Sequence, residues 1–453
     1  MKSAFAKEPR THLFVSRHVG TGQLVAADRF LVPGCKRSPL DLKEIHRRRA
    51  YDNQDMRRFG RSLAFGVLLV ALTDIFVSPI SAQGVPPFAK PEHPSRWLDA
   101  VQESAIDQLF SRPSGSPGYA VALIKDGEFA FCKGYGLANL DDSIPITPET
   151  SFHLASLSKQ FTAAAIALLI LDHKIALSDP VAKYLPEVSK YGNGLLMEHL
   201  VYMTSGLHEY TDEPRKNGVP WMTFYYFTRD EAIAAALKSD QLEFEPGKRW
   251  AYRNINYMLL TKIVEVVSHE SFAAFMHDRV FGPLGMSHSQ INDDSTEIIA
   301  HRATGYAMRS DPRVIKELAQ AGVAINPGDG WVRLVRVAPH FGGSGVFTTI
   351  DDLLLWDRNW YAGTLAGPQF TELMNKRMKF EHDKDNDALG LVWRSSYGHT
   401  MLDYSGGDTD TSTYMARFPE QHFTIICLSN MPLGDAEGRA QAALDLLRGW
   451  GKL

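Results

Sequence analysis

The clearest strand-like stretches of this chain lie toward the two ends of its globular part. GYAVALIK (118–125) and EFAFCKGYG (128–136) flank Asp126-Gly127. Asp-Gly between two such runs predicts a hairpin, because the tight turn needs residues that tolerate positive φ. Near the other end, TSTYMARF (411–418) and HFTIICLSN (422–430) have the same character. Between them the pattern turns helical. A buried helix is expected over 156–173, and others over about 229–238, 255–268 and 271–281, the last ending before Gly282-Pro283. A final helix covers 435–450. Strands at both ends with helices between predict an α+β unit over 97–450. Its end strands pair into one antiparallel sheet, and the middle, about 195–340, forms a mostly helical lobe.

Composition narrows the function classes. The apolar fraction is 44% and the charged fraction 22%, a globular balance that supports a large core. A net charge of −4 gives no reason to expect nucleic acid or an anionic membrane surface as partner. Cys35, Cys132 and Cys427 are far apart and form no C-x-x-C pair, so neither a disulfide framework nor a cysteine zinc site is expected. No His/Asp/Glu set has metal-ligand spacing, and no cofactor is implied.

Residues 56–84, MRRFGRSLAFGVLLVALTDIFVSPISAQG, have the three parts of a secretory signal. Arg57, Arg58 and Arg61 form the basic region, Leu63 to Leu72 the apolar region, and Ser81-Ala82 the small-residue end. Residues 1–55 show no periodicity. Met56 is therefore the expected natural start, with cleavage after Ala82 and an exported, periplasmic or secreted product. An uncleaved signal anchor is the alternative, and would be the chain's one membrane contact. Residues 83–96, rich in proline and polar groups, read as a linker.

The chemistry begins at HLASLSKQF (153–161), just ahead of TAAAIALLIL. Positions i and i+3 share a helix face, so a helix starting near Ser156 brings its Oγ to Lys159 Nζ. Ser158 points elsewhere and is expected to be a polar group of the helix start. A lysine in a first helical turn opposes the helix dipole, and burying its ammonium is worse. Breaking two local rules at once marks a functional site, and both effects lower the lysine pKa toward that of a usable base.

Two further stretches, PGKRWAYRNINY (246–257) and DYSGGD (403–408), complete a pattern. Ser-x-x-Lys, then Tyr-x-Asn about a hundred residues on, then x-Ser-Gly-Gly on a late strand, resembles the serine β-lactamase-related hydrolases. The likeness is closest to the class C β-lactamase, D-peptidase and esterase group. LSDPVAKYLPEV (177–188), MTSGL (203–207), VFGPLGMSHS (280–289), GGSGVFTTIDDLLLW (342–356) and RFPEQ (417–421) extend it over about 97–450. The resemblance implies a β-lactamase/transpeptidase-like fold and an acyl-enzyme on Ser156. Lys159 and Tyr252 become the proton-handling pair, and either can be the one that takes the serine proton. Asn254, Tyr404, Ser405 and Gly406 become substrate-binding residues. The backbone N–H groups of Ser156 and Gly407 become the oxyanion hole, and a small molecule or peptide the substrate.

The sequence departs from the family at Tyr404, where relatives usually carry Lys or His. Losing that positive charge should make Tyr252 harder to ionise and weaken binding of anionic substrates. Asp410-Thr411 stands where relatives commonly have Gly and an aromatic, and is expected to add negative charge near the strand. His399 is expected in a hairpin turn, His199 and His208 in structural roles, and Arg417 on the sheet surface or in an ion pair. WMTFYYF (221–227) reads as core or cleft wall. Three readings remain open: an exported ester or amide hydrolase, a β-lactamase or D-amino-acid peptidase on cell-wall peptides, and a non-catalytic binding protein that kept the cleft.

Overall fold

Strand β1, Tyr119–Lys125, and strand β2, Glu128–Tyr135, form the expected hairpin. Asp126 and Gly127 both take positive φ, 51° and 75°, which matches the right-handed twist of the flanking strands. The computed structural model describes residues 97–212, 226–320, 322–334, 336, 341–378 and 386–453. The signal-like segment, the linker, Cys35 and residues 221–225 of the aromatic cluster lie outside the described residues.

The late strands complete a seven-stranded sheet. They are β3 (Asn386–Ala388), β4 (Leu391–Ser396), β5 (His399–Asp408), β6 (Thr411–Phe418) and β7 (Phe423–Ser429). The order is β3-β4-β5-β6-β7-β1-β2, antiparallel throughout, and β1 pairs with β7 from Tyr119 opposite Ser429 to Lys125 opposite Phe423. Both faces of β1 are buried, which explains its nearly unbroken apolar run. Ala120, Ala122 and Ile124 join the core shared with the helical lobe. Tyr119, Val121 and Leu123 face the opposite core, built with helix α1 (Ala100–Phe110) and the C-terminal helix α5 (Ala436–Gly449).

Three more helices position the site. Helix α2, Lys159–Leu171, is buried at every position from Lys159 to Leu169, as a helix apolar all round must be. Helix α3, Asn254–Ser268, packs beside it. Helix α4, Ile350–Ala362, starts on a Thr349 cap whose side chain accepts from Asp352 N–H. Its buried Asp357 accepts from Arg417 Nε at 2.9 Å and from Thr424 Oγ1 at 2.7 Å. Arg417 is thus the ion-pair residue expected, but beneath the sheet rather than on its surface, since both side chains are 2% exposed.

The middle of the chain differs from the sequence reading in two places. The helix expected to end before Gly282-Pro283 runs on. Phe272–Met276 is α-helical, His277–Phe281 forms a π turn, and Gly282–Leu284 adds a final turn. The lobe also holds short strands that no alternation announced. Phe152–His153 and Gln290–Ile291 both pair with Val346–Thr348, and Gly305–Met308 pairs with Trp331–Leu334. Runs of two to four residues are too short to show a period of two. His399 begins β5 directly after the Tyr397-Gly398 turn, where its Nδ1 lies 2.6 Å from Gln421 Nε2. His199 Nδ1 accepts from Leu196 N–H, and His208 Nε2 lies 3.0 Å from the Gln241 carbonyl.

Candidate active site

Ser156 lies in a 3₁₀ turn, Ala155–Ser158, that leads directly into α2. Ala155 takes φ 50°, a left-handed conformation that a β-carbon disfavours. Such strain persists only where the surroundings over-determine it. The three-residue spacing does what the sequence predicted, placing Lys159 Nζ 3.1 Å from Ser156 Oγ. Ser158 is the polar residue at the start of α2, as expected. It caps no helical N–H; its hydroxyl accepts from Val346 N–H at 3.1 Å, tying the turn to the strand Val346–Thr348.

Tyr252 and Asn254 arrive from the other side, at the entry to α3. Tyr252 Oη lies 2.6 Å from Ser156 Oγ and 2.6 Å from Lys159 Nζ. Asn254 Oδ1 accepts from Lys159 at 3.0 Å, and the Gly343 carbonyl does so at 2.7 Å. Arg253 is the N-cap residue of α3 and Asn254 its first residue, so the Asn254 amide turns to Lys159 instead of capping. Lys159 is fully buried, with its Nζ 4.8 Å from the centre of the Tyr252 ring and 5.7 Å from that of Tyr257. Burial lowers its pKa to about 7, against the upward pull of Glu209 and Asp408.

The partners of Lys159 Nζ accommodate a neutral amine as well as an ammonium. Asn254 Oδ1 and the Gly343 carbonyl can only accept, so they take the two N–H bonds of an uncharged Lys159. Its lone pair is then left for the Tyr252 O–H. Tyr252 itself is pushed up, first by burial and also by Glu209 and Tyr210, although hydrogen bonds with Ser156 and Tyr404 pull it down.

Four groups that sequence reasoning missed complete the site. The Glu209 carboxylate, 8% exposed, accepts from Asn254 N–H at 2.5 Å and from its neighbour Tyr210 N–H at 3.0 Å. It thus pins the first residue of α3. Burial raises the Glu209 pKa, opposed by those two N–H groups, Lys159 and Arg253. Gly343 comes from the GGSG loop, where Gly342 takes φ +51° and a β-carbon would strike the Tyr257 carbonyl. Asp408 and Arg336 line the cleft with Ser156, Asn254, Gly407 and Phe341, around a cavity of about 130 Å³.

Strand β5 divides its predicted residues between roles. Gly407 lines the cleft beside Ser156. Tyr404 hydrogen-bonds Tyr252, and Ser405 is exposed outside the cleft lining. Gly406 is buried and turned away from substrate: a β-carbon there would fall 2.3 Å from the Leu154 carbonyl. Its glycine serves the close approach of β5 to the Ser156 turn. Asp410 also differs from expectation. Asp408 pairs with Thr411, so Thr409-Asp410 is the two-residue turn of the β5–β6 hairpin. Asp410 is buried there, 2.8 Å from His153 Nδ1 and 3.5 Å from Arg302. Burial pushes its carboxyl up, but His153, Arg302 and Arg336 outweigh this and hold it at about 2. Its charge is spent on that network, and Asp408 is the carboxylate that lines the cleft.

Known proteins share this architecture. A D-amino acid amidase from Ochrobactrum anthropi SV3 superposes with a TM-score of 0.64 over 77% of this chain and 99% of its own, at 20% identity. An octameric penicillin-binding protein homologue from Pyrococcus abyssi gives 0.63 over 77% of each chain, at 25% identity. By sequence, a D-aminopeptidase from Gluconobacter oxydans (strain 621H) is 30% identical over 58% of this chain and 45% of its own. Protein flp of Staphylococcus aureus (strain MW2) is 28% identical over 70% of this chain and 60% of its own. The chain thus spans about half the length of these curated relatives. The β-lactamase family model matches residues 106–449, and with it the chain belongs to the β-lactamase family.

Proposed function

We propose that this chain is an exported serine hydrolase that cleaves an ester or amide through an acyl-enzyme on Ser156. The observation that carries the reading is the buried Lys159, within hydrogen-bond reach of both Ser156 Oγ and Tyr252 Oη. A lysine held near neutrality can accept a proton, whereas a tyrosine pushed above its ordinary range is a poor phenolate. The two together form a relay. Ser156 Oγ attacks the carbonyl carbon while its proton passes to Tyr252 Oη, and the Tyr252 proton passes to Lys159 Nζ. The tetrahedral oxyanion is met by the N–H groups of Ser156 and Gly407, a contribution of about 10²–10³ in rate per donor. Collapse breaks the bond to the leaving group, which takes a proton from Tyr252 as Lys159 returns its own. Water then attacks the acyl-enzyme by the same relay and releases the acid.

Export rests on the basic, apolar and small-residue order of residues 56–82. N-terminal sequencing of the secreted product tests it, with Gln83 expected at the mature end. The likeness to a D-aminopeptidase and a D-amino acid amidase brings D-amino acid amides into the substrate panel beside p-nitrophenyl esters and a penicillin. The test of the nucleophile is intact mass after exposure to a fluorophosphonate and to each panel member, beside Ser156→Ala. An adduct on Ser156 that vanishes in the variant is expected, with turnover falling by up to about 10⁶. A folded protein that forms no adduct with any reagent is a binding protein instead.

A further inference from the structure

Two charged side chains face the cleft and take no part in the proton relay. Arg336 and Asp408 line it together with Ser156 and Gly407. Asp408 directly follows Gly407 on β5, which places it one residue from the proposed oxyanion donor. Both of its carboxylate oxygens lie 2.9 Å from the same Arg336 nitrogen, Nη1. One of them also accepts from Thr409 N–H at 2.7 Å, and Tyr210 adds a hydrogen bond to Arg336. The two side chains are 16% and 8% exposed, so little solvent screens their attraction. Phe227, Phe341 and Met258 supply apolar wall around them.

An arginine in a hydrolase cleft is a ready receptor for a carboxylate, because its planar fork matches that group. Here a carboxylate of the protein already sits on its Nη1. An anionic substrate group meets a guanidinium whose charge is compensated and the negative Asp408 beside it. An ammonium meets the mirror situation. We infer that the Arg336–Asp408 pair is the specificity determinant of the cleft, admitting substrates that are uncharged next to the scissile carbonyl and disfavouring those with a carboxylate or an ammonium there. The inference rests on the reading of this cleft as the Ser156 hydrolase site and names its substrate class: neutral esters and amides.

Breaking either half of the pair releases the other, with opposite sign. Three probes of similar size suit the test: hippurate, which bears a carboxylate; hippuramide, which is neutral; and glycine benzylamide, which bears an ammonium. Their dissociation constants are measured by ligand-observed NMR on the full chain. Wild type is expected to bind the neutral probe best. Asp408→Asn swings preference toward hippurate by about ten- to a hundredfold, the range of a charge-assisted hydrogen bond. Arg336→Gln swings it toward glycine benzylamide, and the double variant shows neither swing. Two variants of opposite sign keep the test decisive if one of them folds poorly. Wild type that prefers hippurate tenfold, variants that keep the wild-type order, or no binding by any protein overturns the inference. Binding needs no turnover, so an inert Ser156 would show in the adduct experiment and leave these swings intact.

Discussion

Gly406 gives the sharpest test of how the site is held. Alanine there would set a β-carbon 2.3 Å from the Leu154 carbonyl, 2.4 Å from Thr413 Oγ1 and 3.1 Å from Leu157 N. Two of these are backbone atoms of the segment that carries Ser156. Carbon–oxygen contacts settle a little above 3 Å, so β5 and that segment must separate by about 1 Å, an overpacking cost of about 1–3 kcal/mol. Ser156 Oγ lies 2.6 Å from Tyr252 Oη and 3.1 Å from Lys159 Nζ, and in the proposed relay a misplacement of that size costs about 10² in rate. Gly407→Ala is the internal control, because nothing of the protein lies within 4 Å of its added carbon. The assay pairs thermal melting with the rate of fluorophosphonate labelling. Gly406→Ala should lose both stability and labelling, and Gly407→Ala should keep wild-type stability. A Gly406→Ala protein that melts with wild type and labels within tenfold of it would refute the packing argument.

Three further predictions concern charge. With Lys159 required neutral and its pKa about 7, kcat/KM should rise with pH through that value and fall about tenfold per unit below it. Glu209 favours the protonated lysine, as does Asp408, so Glu209→Gln should move the acidic limb to lower pH. A limb that stays in place or moves up removes Glu209 from the electrostatics of the relay. Tyr404→Lys sets an ammonium beside Tyr252, so ultraviolet difference titration should show Tyr252 ionising at lower pH than in wild type. An unchanged Tyr252 titration would mean that position 404 has no electrostatic hold on the phenol.

The sheet was legible because its strands obey local rules. Asp126-Gly127 is a turn that two residues specify, and β1 and β7 are buried on both faces and so read as apolar runs. Helix α2 was legible for the same reason, and Ser156 with Lys159 because helical spacing converts sequence distance into contact. Tyr252 and Asn254 became visible only through the joint order of three motifs. What escaped has no local signature. The Gly343 carbonyl is a backbone atom that any residue offers, and Glu209 sits in a polar stretch where nothing distinguishes a buried carboxylate from a solvated one. Asp410 lies in the hairpin turn and Asp408 lines the cleft because the hairpin register, not the composition of DYSGGDTDT, decides which carboxylate reaches it. Gly406 and Gly407 are adjacent and identical, yet the pleat turns one toward protein and leaves the other open to the cleft.

The pairing of β1 with β7 also governs the order in which this protein can be made. A ribosome releases the β1–β2 hairpin well before the strand that β1 needs on its other edge, with the whole helical lobe made in between. Closing so long a loop adds little to the equilibrium cost but delays the fold. Until then the edge of β1 that pairs with β7 stays open. A premature stop that removes β7 therefore leaves Tyr119–Lys125 with an unpaired edge, and the damage falls on the beginning of the sheet as much as on its end.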